Sequence, residues 1–323
     1  MFPVDAALTS EARELLGRKH PVFAVARVTG EGTSVGAVGA SLEADFEIGS
    51  ISKGVTGLLY VDALNRGEVT PGTTLGEILP LAGSAAAAVT LSALSTHTSG
   101  LPRLAKTSDR WRRGVALMRH GTNPYGDTLE ILVGQARTVP VGRPGPRYSN
   151  LGYMLLGHAL AAAAGTTYAR LVADRVARPL DLDPFYVAAT AADLRPDAVP
   201  GTSRSGRGQE PWTGEALGPA GGIRASIGAM ARLTEALLDG TAPGVAALDP
   251  VEGFSGGLRI GAAWMTLSGK GRQVTFHNGG TGGFRSWMGV DRAAAAGVVV
   301  LSATSRPVDR CGFRLLTQVA APN

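Results

Sequence analysis

Three short segments carry side chains able to do chemistry: Ser50-Ile51-Ser52-Lys53, Tyr148-Ser149-Asn150 and His277-Asn278-Gly279-Gly280. Ser50 stands where a strand ends at Gly49 and a helix begins. Lys53 follows about one helical turn later, so the two side chains share a face. A helix start surrounds the Ser50 oxygen with free N–H groups and positive dipole. A serine hydroxyl is a poor nucleophile until a neighbouring base takes its proton, and a lysine one turn away can take it or hold a second base ionised. Tyr148 follows the Pro144/Pro146 loop at a helix entry. A nearby cation such as Lys53 would favour its phenolate. In the third segment, Gly279, Gly280, Gly282 and Gly283 remove side chains, so another chain or a ligand can approach the backbone closely. Each segment also has a plain structural use. Ser50 suits a helix cap beside a solvated lysine, Tyr148-Ser149-Asn150 a packed and capped helix entry, and the glycine run a hairpin turn.

These segments need elements to position them. Apolar spacing predicts a first helix over 10–18, with Leu15 and Leu16 on its apolar side. Strands are expected over 22–28, 34–40 and 44–48, with glycines between them that suit hairpins. A helix over 50–65 presents Val55, Leu58, Leu59, Val61 and Leu64. The middle of the chain reads as helical, with helices over 91–96, 129–136, 151–164 and 168–176, and a polar surface loop over 198–214. A further helix spans 227–238. Strands follow over 257–267, 273–278, 284–290 and 297–302, then a closing helix over 311–320. Strands at both ends and helices between them predict an α/β (α+β) fold. One antiparallel sheet is built from both chain ends and flanked by helices, and an all-helical lobe is inserted. The expected division is an α/β lobe over 1–66 and 215–323 and a helical lobe over 67–214, with the site in the cleft between them.

Composition excludes several classes. Of 323 residues, 44% are apolar and 18% charged, a globular balance. The most apolar stretch, Leu151 to Gly165, is about 15 residues, short of the roughly 20 a membrane span needs, so no membrane partner is expected. The start of the chain lacks a basic region before an apolar core, which argues against a secretory signal and for a cytoplasmic protein. Net charge is +5, yet the arginines are scattered and only 6% of residues are aromatic, so no nucleic-acid partner is expected. The lone Cys311 excludes a disulfide framework. His20, His120 and His158 show no metal-ligand spacing, so no metal and no cofactor are expected. The only lysines are Lys19, Lys53, Lys106 and Lys270, which makes Lys53 more informative. Asp109, Arg110, Arg112 and Arg113 read as a solvated face, and His97 as structural. Trp111, Tyr125 and Trp212 are candidates for a cleft wall, Trp212 foremost because of its Gly/Pro-rich loop.

Together and in this order, the three segments resemble the serine β-lactamase and penicillin-binding-protein superfamily, whose signature is S-x-x-K, S-D-N and K-T-G. Tyr148-Ser149-Asn150 fits the Y-x-N form of class C β-lactamases, D-alanyl-D-alanine peptidases and related esterases. His277-Asn278-Gly279 stands in place of Lys-Thr-Gly, as in esterase-like and peptidase-like members. Supporting phrases are Phe46-Glu47-Ile48-Gly49, Ser95 to Pro102, and Ala220-Gly221-Gly222-Ile223. The resemblance covers the chain from about Pro21 onward.

The resemblance implies that Ser50 is acylated and that Lys53 and Tyr148 share the proton work, the base being either. The backbone N–H groups of Ser50 and Gly280 would form the oxyanion hole. Asn150 would bond Lys53 or a substrate amide, and His277, Asn278 and Gly279 would lie along the substrate, which adds to that strand as an extra edge. Expected partners are a small-molecule ester or amide acyl donor, with water as acceptor or, in an acyltransferase, an amine or alcohol. Replacing the Lys-Thr-Gly lysine removes a cation for a β-lactam or peptide carboxylate, which lowers those two readings. A non-catalytic binding module ranks last. The sequence leaves the oligomeric state open.

Overall fold

The first helix, Ala6–Leu16, begins before the expected 10–18 because Asp5 caps it, its Oδ1 accepting the Leu8 N–H at 2.9 Å. Leu8 and Ala12 are its buried residues and Leu15 is exposed, so the apolar face is rotated from the one expected. This computed structural model describes residues 2–105, 110–269 and 271–320. Asp109 and the Arg110 side chain, part of the expected solvated face, lie outside the described residues.

The main sheet joins the two ends of the chain. Its spatial order is Gly32–Val38, Phe23–Thr29, Ala296–Ser302, Arg285–Asp291, Arg272–Gly280, Met265–Gly269, Arg259–Ile260 and Glu252–Gly253, every pair antiparallel. The strand Ala296–Ser302, Val- and Leu-rich and buried throughout, sits centrally, as a strand covered on both faces must. Ala6–Leu16 and Asp309–Val319 pack on one face through Leu8, Trp287, Val298, Val300, Leu315 and Leu316. Ile227–Leu238, which matches its expected bounds, covers the other.

Two strand readings change. The stretch 257–267 is not one strand. It breaks between Arg259–Ile260 and Met265–Gly269 at a turn closed by Gly261 N–H to Trp264 O, 2.9 Å, because Trp264 is drawn inward to donate its Nε1–H to Gly54 O at 3.2 Å. The short strand Asp45–Glu47 leaves the main sheet and pairs with Ile223–Ser226, which also pairs with Phe185–Val187. Among the described residues between the two ends, the regular elements are helices apart from Phe185–Val187 and the small hairpin Gly201–Thr202 with Gly208–Gln209. The helix expected over 168–176 is α-helical over Tyr168–Val172 and continues as a π-helical turn, Ala173–Ala177.

The helix Ile51–Asn65 is the central post. Twelve of its residues are buried, so it is enclosed on all sides rather than along one stripe. Asn150–Ala163 and Gly218–Gly221 pack against it and against each other. Three chemistry-bearing segments thus meet at one end of one buried helix.

Candidate active site

The approach to Ser50 is held from three sides. Ile48 donates its N–H to Ile223 O at 3.1 Å, and Ser286 Oγ donates to Ile48 O at 2.7 Å. The strand Arg272–Gly280 lies so close that a Cβ on Gly279 would fall 2.0 Å from Ile48 O, and one on Gly49 would fall 2.5 Å from Gly280 N. Gly49 also has φ +53°, a left-handed conformation that favours glycine. Ser50 then takes the N-cap position of Ile51–Asn65 but makes no side-chain capping bond. Its hydroxyl instead accepts from Lys53 Nζ at 3.1 Å.

Lys53 is fully buried and also donates from Nζ to Ala220 O at 2.5 Å. Burial, followed by the positive charge of Arg103, holds its pKa well below 10.5. An amine in this state is a free base over much of the range where ordinary lysines are charged. Tyr148 sits beside it, with Nζ 4.9 Å from the ring centroid and the Arg103 guanidinium 5.6 Å away. Burial pushes the Tyr148 phenol up to about 12, against the opposing pull of the Ser50 hydroxyl and the Arg103 charge. The expectation that a neighbouring cation favours a phenolate is therefore reversed, because desolvation of the oxyanion outweighs it.

Two histidines bracket Tyr148. The His97 ring lies 4.5 Å from it and the His277 ring 6.4 Å, centroid to centroid. His97 Nδ1 accepts the Ser149 N–H at 3.1 Å, which puts the ring proton on Nε2. His277 Nδ1 donates to Asn278 O at 2.7 Å, which leaves Nε2 with its lone pair. Both Nε2 atoms are buried without a partner. Burial, then Lys53, lowers His277 to about 3 and holds His97 well below 6.5, so both rings are neutral near pH 7. Ser149 completes the corner. Its Oγ donates to Pro102 O at 2.7 Å and caps the helix by accepting the Gly152 N–H at 2.9 Å.

A family model described as beta-lactamase matches residues 12–320. The chain belongs to the beta-lactamase family. Similar solved structures include a class C beta-lactamase from Rhodobacter sphaeroides, at 22% identity and TM-score 0.81, covering 98% of this chain and 100% of that one. A beta-lactamase/D-alanine carboxypeptidase from Pseudomonas syringae gives 17% and 0.82, with 98% of each chain covered. The octameric penicillin-binding protein homologue from Pyrococcus abyssi gives 20% and 0.83, covering 98% of this chain and 77% of that one. At these identities the likeness is one of fold, the mixed α/β fold of the family's serine hydrolases. A search of curated protein sequences gave no match.

Within this beta-lactamase-family site the other expected residues fall into two groups. Gly280 belongs at the centre. Thr281 N–H bonds Phe284 O at 3.1 Å, and hydrogen-bonded pairs alternate along an antiparallel ladder. Gly279 therefore exchanges bonds with Ser286, while Asn278 and Gly280 turn their backbone groups to the opposite edge. The Met265–Gly269 strand reaches only to Phe276, so it leaves that edge unpaired. Asn150 Oδ1 is buried without a partner, and Lys53 spends its bonds on Ser50 and Ala220, so the expected Asn150–Lys53 bond is not made.

The side-chain positions of Asn278 and Gly279 are taken up by the protein itself. The Asn278 side chain points to the other face and donates Nδ2–H to Asp309 Oδ1 at 2.5 Å, and Gly279 is needed for close packing on Ile48. Trp212 is half-buried. Its N–H donates to Glu47 Oε1 at 2.8 Å and its ring packs edge-on to Tyr125, centroids 4.7 Å apart. Trp111 projects outward, 77% exposed. Among the described residues no three His, Cys, Asp or Glu side chains stand together as metal ligands, and no helix is long and apolar enough to cross a membrane.

Sequence reasoning missed Arg224. It is buried against Asp45, with Nη1 3.2 Å from Glu47 Oε1 and Nη2 donating to Asp45 O and Val199 O at 3.1 and 3.2 Å. Burial raises the Glu47 pKa, and Arg224 opposes it. This cluster fixes the strand that delivers Ser50. An arginine inside the apolar run Ile223 to Ser226 was its one sequence signal.

Proposed function

We propose that this protein is a serine hydrolase that acylates Ser50 with an ester or amide of a small, uncharged molecule. The observation that carries the reading is the buried Lys53 amine, 3.1 Å from Ser50 Oγ with its pKa held well below 10.5. Neutral Lys53 takes the Ser50 proton as Oγ bonds to the substrate carbonyl carbon. The carbonyl oxygen, now negative, is met by the N–H groups of Ser50 and Gly280. The first has no backbone acceptor among the described residues, and the second faces the unpaired strand edge. Tyr148, protonated at neutral pH, hands its proton to the departing alcohol or amine and is recharged from the Lys53 ammonium. Water repeats the sequence in reverse on the acyl-enzyme.

His277 supports the choice of substrate. It stands where the family signature has a lysine, and it is neutral. A β-lactam or peptide carboxylate loses there a charge-assisted hydrogen bond of about 1.5–3 kcal/mol, roughly one to two orders of magnitude. The recombinant protein is therefore expected to turn over p-nitrophenyl acetate with kcat/KM at least about tenfold above that for a chromogenic cephalosporin. The reverse order, or release of D-alanine from a D-Ala-D-Ala peptide as the fastest reaction, contradicts the substrate assignment. Mass analysis of products formed with added amines and alcohols separates hydrolysis from acyl transfer.

A further inference from the structure

We propose that the cavity between the helices Arg110–His120, Leu129–Thr138 and Asn150–Ala163 is an acyl-chain pocket that selects donors with an unbranched apolar chain of about six to eight carbons. The inference rests on the hydrolase reading above and adds the substrate class. The cavity is about 210 Å³, room for roughly seven groups the size of a water at about 30 Å³ each.

Chain neighbours of the site residues form part of its walls. Leu104 follows Arg103, whose guanidinium lies over Tyr148 and whose carbonyl accepts the N–H groups of Asn150 and Leu151. Leu151 follows Asn150. Tyr125 lines the cavity and lies near enough to the Tyr148 phenol to act on it electrostatically. On the Ser50 side, Leu217 Cδ1 comes within 3.5 Å of the position a Cβ would take on Gly221, itself 3.9 Å from the Gly49 carbonyl carbon.

The lining selects against charge. Among its described polar side chains, Asp127 holds two others, with Arg113 Nη1 2.7 Å from its Oδ1 and Gln135 Nε2 donating to its Oδ2 at 3.0 Å. With Leu104, Leu151, Met154 and Leu217 around the remainder, the favoured occupant is a chain that asks for no hydrogen bond.

The test is the kcat/KM profile for p-nitrophenyl esters from acetate to dodecanoate. Each ratio between two esters is independent of how much of a preparation is folded. The wild type is expected to favour octanoate over acetate by at least about tenfold, since single methylenes in apolar pockets are worth about that much. Met154→Trp fills the cavity, and Gly114→Leu adds a side chain at a lining position where a Cβ meets nothing within 4 Å. Either is expected to lower the octanoate-to-acetate ratio by about tenfold, and Leu132→Ala to raise the dodecanoate-to-octanoate ratio. A wild-type profile that is flat or falls from acetate overturns the pocket. So do ratios unchanged in the variants. Failure to hydrolyse any ester overturns the hydrolase reading itself, and the pocket with it.

Discussion

Lys53→Met is expected to lower kcat/KM for any ester substrate by at least about a thousandfold, the scale on which a general base and its nucleophile act as a unit. The fold should not suffer. Lys53 is fully buried and its charged form is disfavoured there, so an unbranched apolar side chain of similar length leaves the melting temperature unchanged or higher. The pH dependence follows from the same amine. A base with a lowered pKa is active above that pKa and loses activity as pH falls through it, so kcat/KM shows an acid limb well below 10.5. Arg103 contributes to the lowering, so Arg103→Met moves the limb to higher pH. The neutral histidines beside Tyr148 contribute no limb in the usual histidine range. Lys53→Met with near-native turnover, or a limb that ignores Arg103, contradicts the assignment of the base.

Arg224→Met is expected to cost about 3–5 kcal/mol of stability, the usual result of removing one partner from a buried charge cluster. Asp45 and Glu47 would then be left buried without their cation. For a chain of this size that lowers the melting temperature on the order of 5–10 °C. Activity should fall beyond what unfolding explains, because Glu47 precedes Ser50 by three residues and holds the Trp212 N–H. Adding Asp45→Asn and Glu47→Gln is expected to restore part of the stability, because each then sheds a charge rather than burying it alone. A change under about 1 kcal/mol in Arg224→Met would show the cluster to be stabilised otherwise.

Much of this architecture is legible in residue order because its signals are local. The helix beginning beyond Ser50 and the last strands are marked by nearly continuous apolar runs, and the helix 227–238 by its apolar face, signals that burial then enforces. The departures come from long-range packing. Nothing in Ala44 to Ile48 says that Asp45–Glu47 leaves the main sheet for Ile223–Ser226, because the partner of its two carboxylates, Arg224, lies far along the chain. The break at Gly261 to Trp264 depends on a tryptophan reaching a backbone carbonyl more than two hundred residues away. Within the site, Ser50 and Lys53 are legible by type and spacing and Tyr148 through the family resemblance, and the period of two along 277–280 already separates His277 from Asn278. The protonation states are not legible. Burial sets them, and it places Tyr148 near 12 where a neighbouring cation alone would have lowered it.

The central claim is that the Ser50 hydroxyl forms a covalent acyl bond, and the most direct measurement is the mass of the trapped protein. Incubation with a fluorophosphonate or a slowly released activated ester, followed by peptide mapping, is expected to place one adduct on Ser50. The adduct should be absent from Ser50→Ala and formed slowly by Lys53→Met. An adduct on another residue, or full ester turnover by Ser50→Ala, would contradict the account.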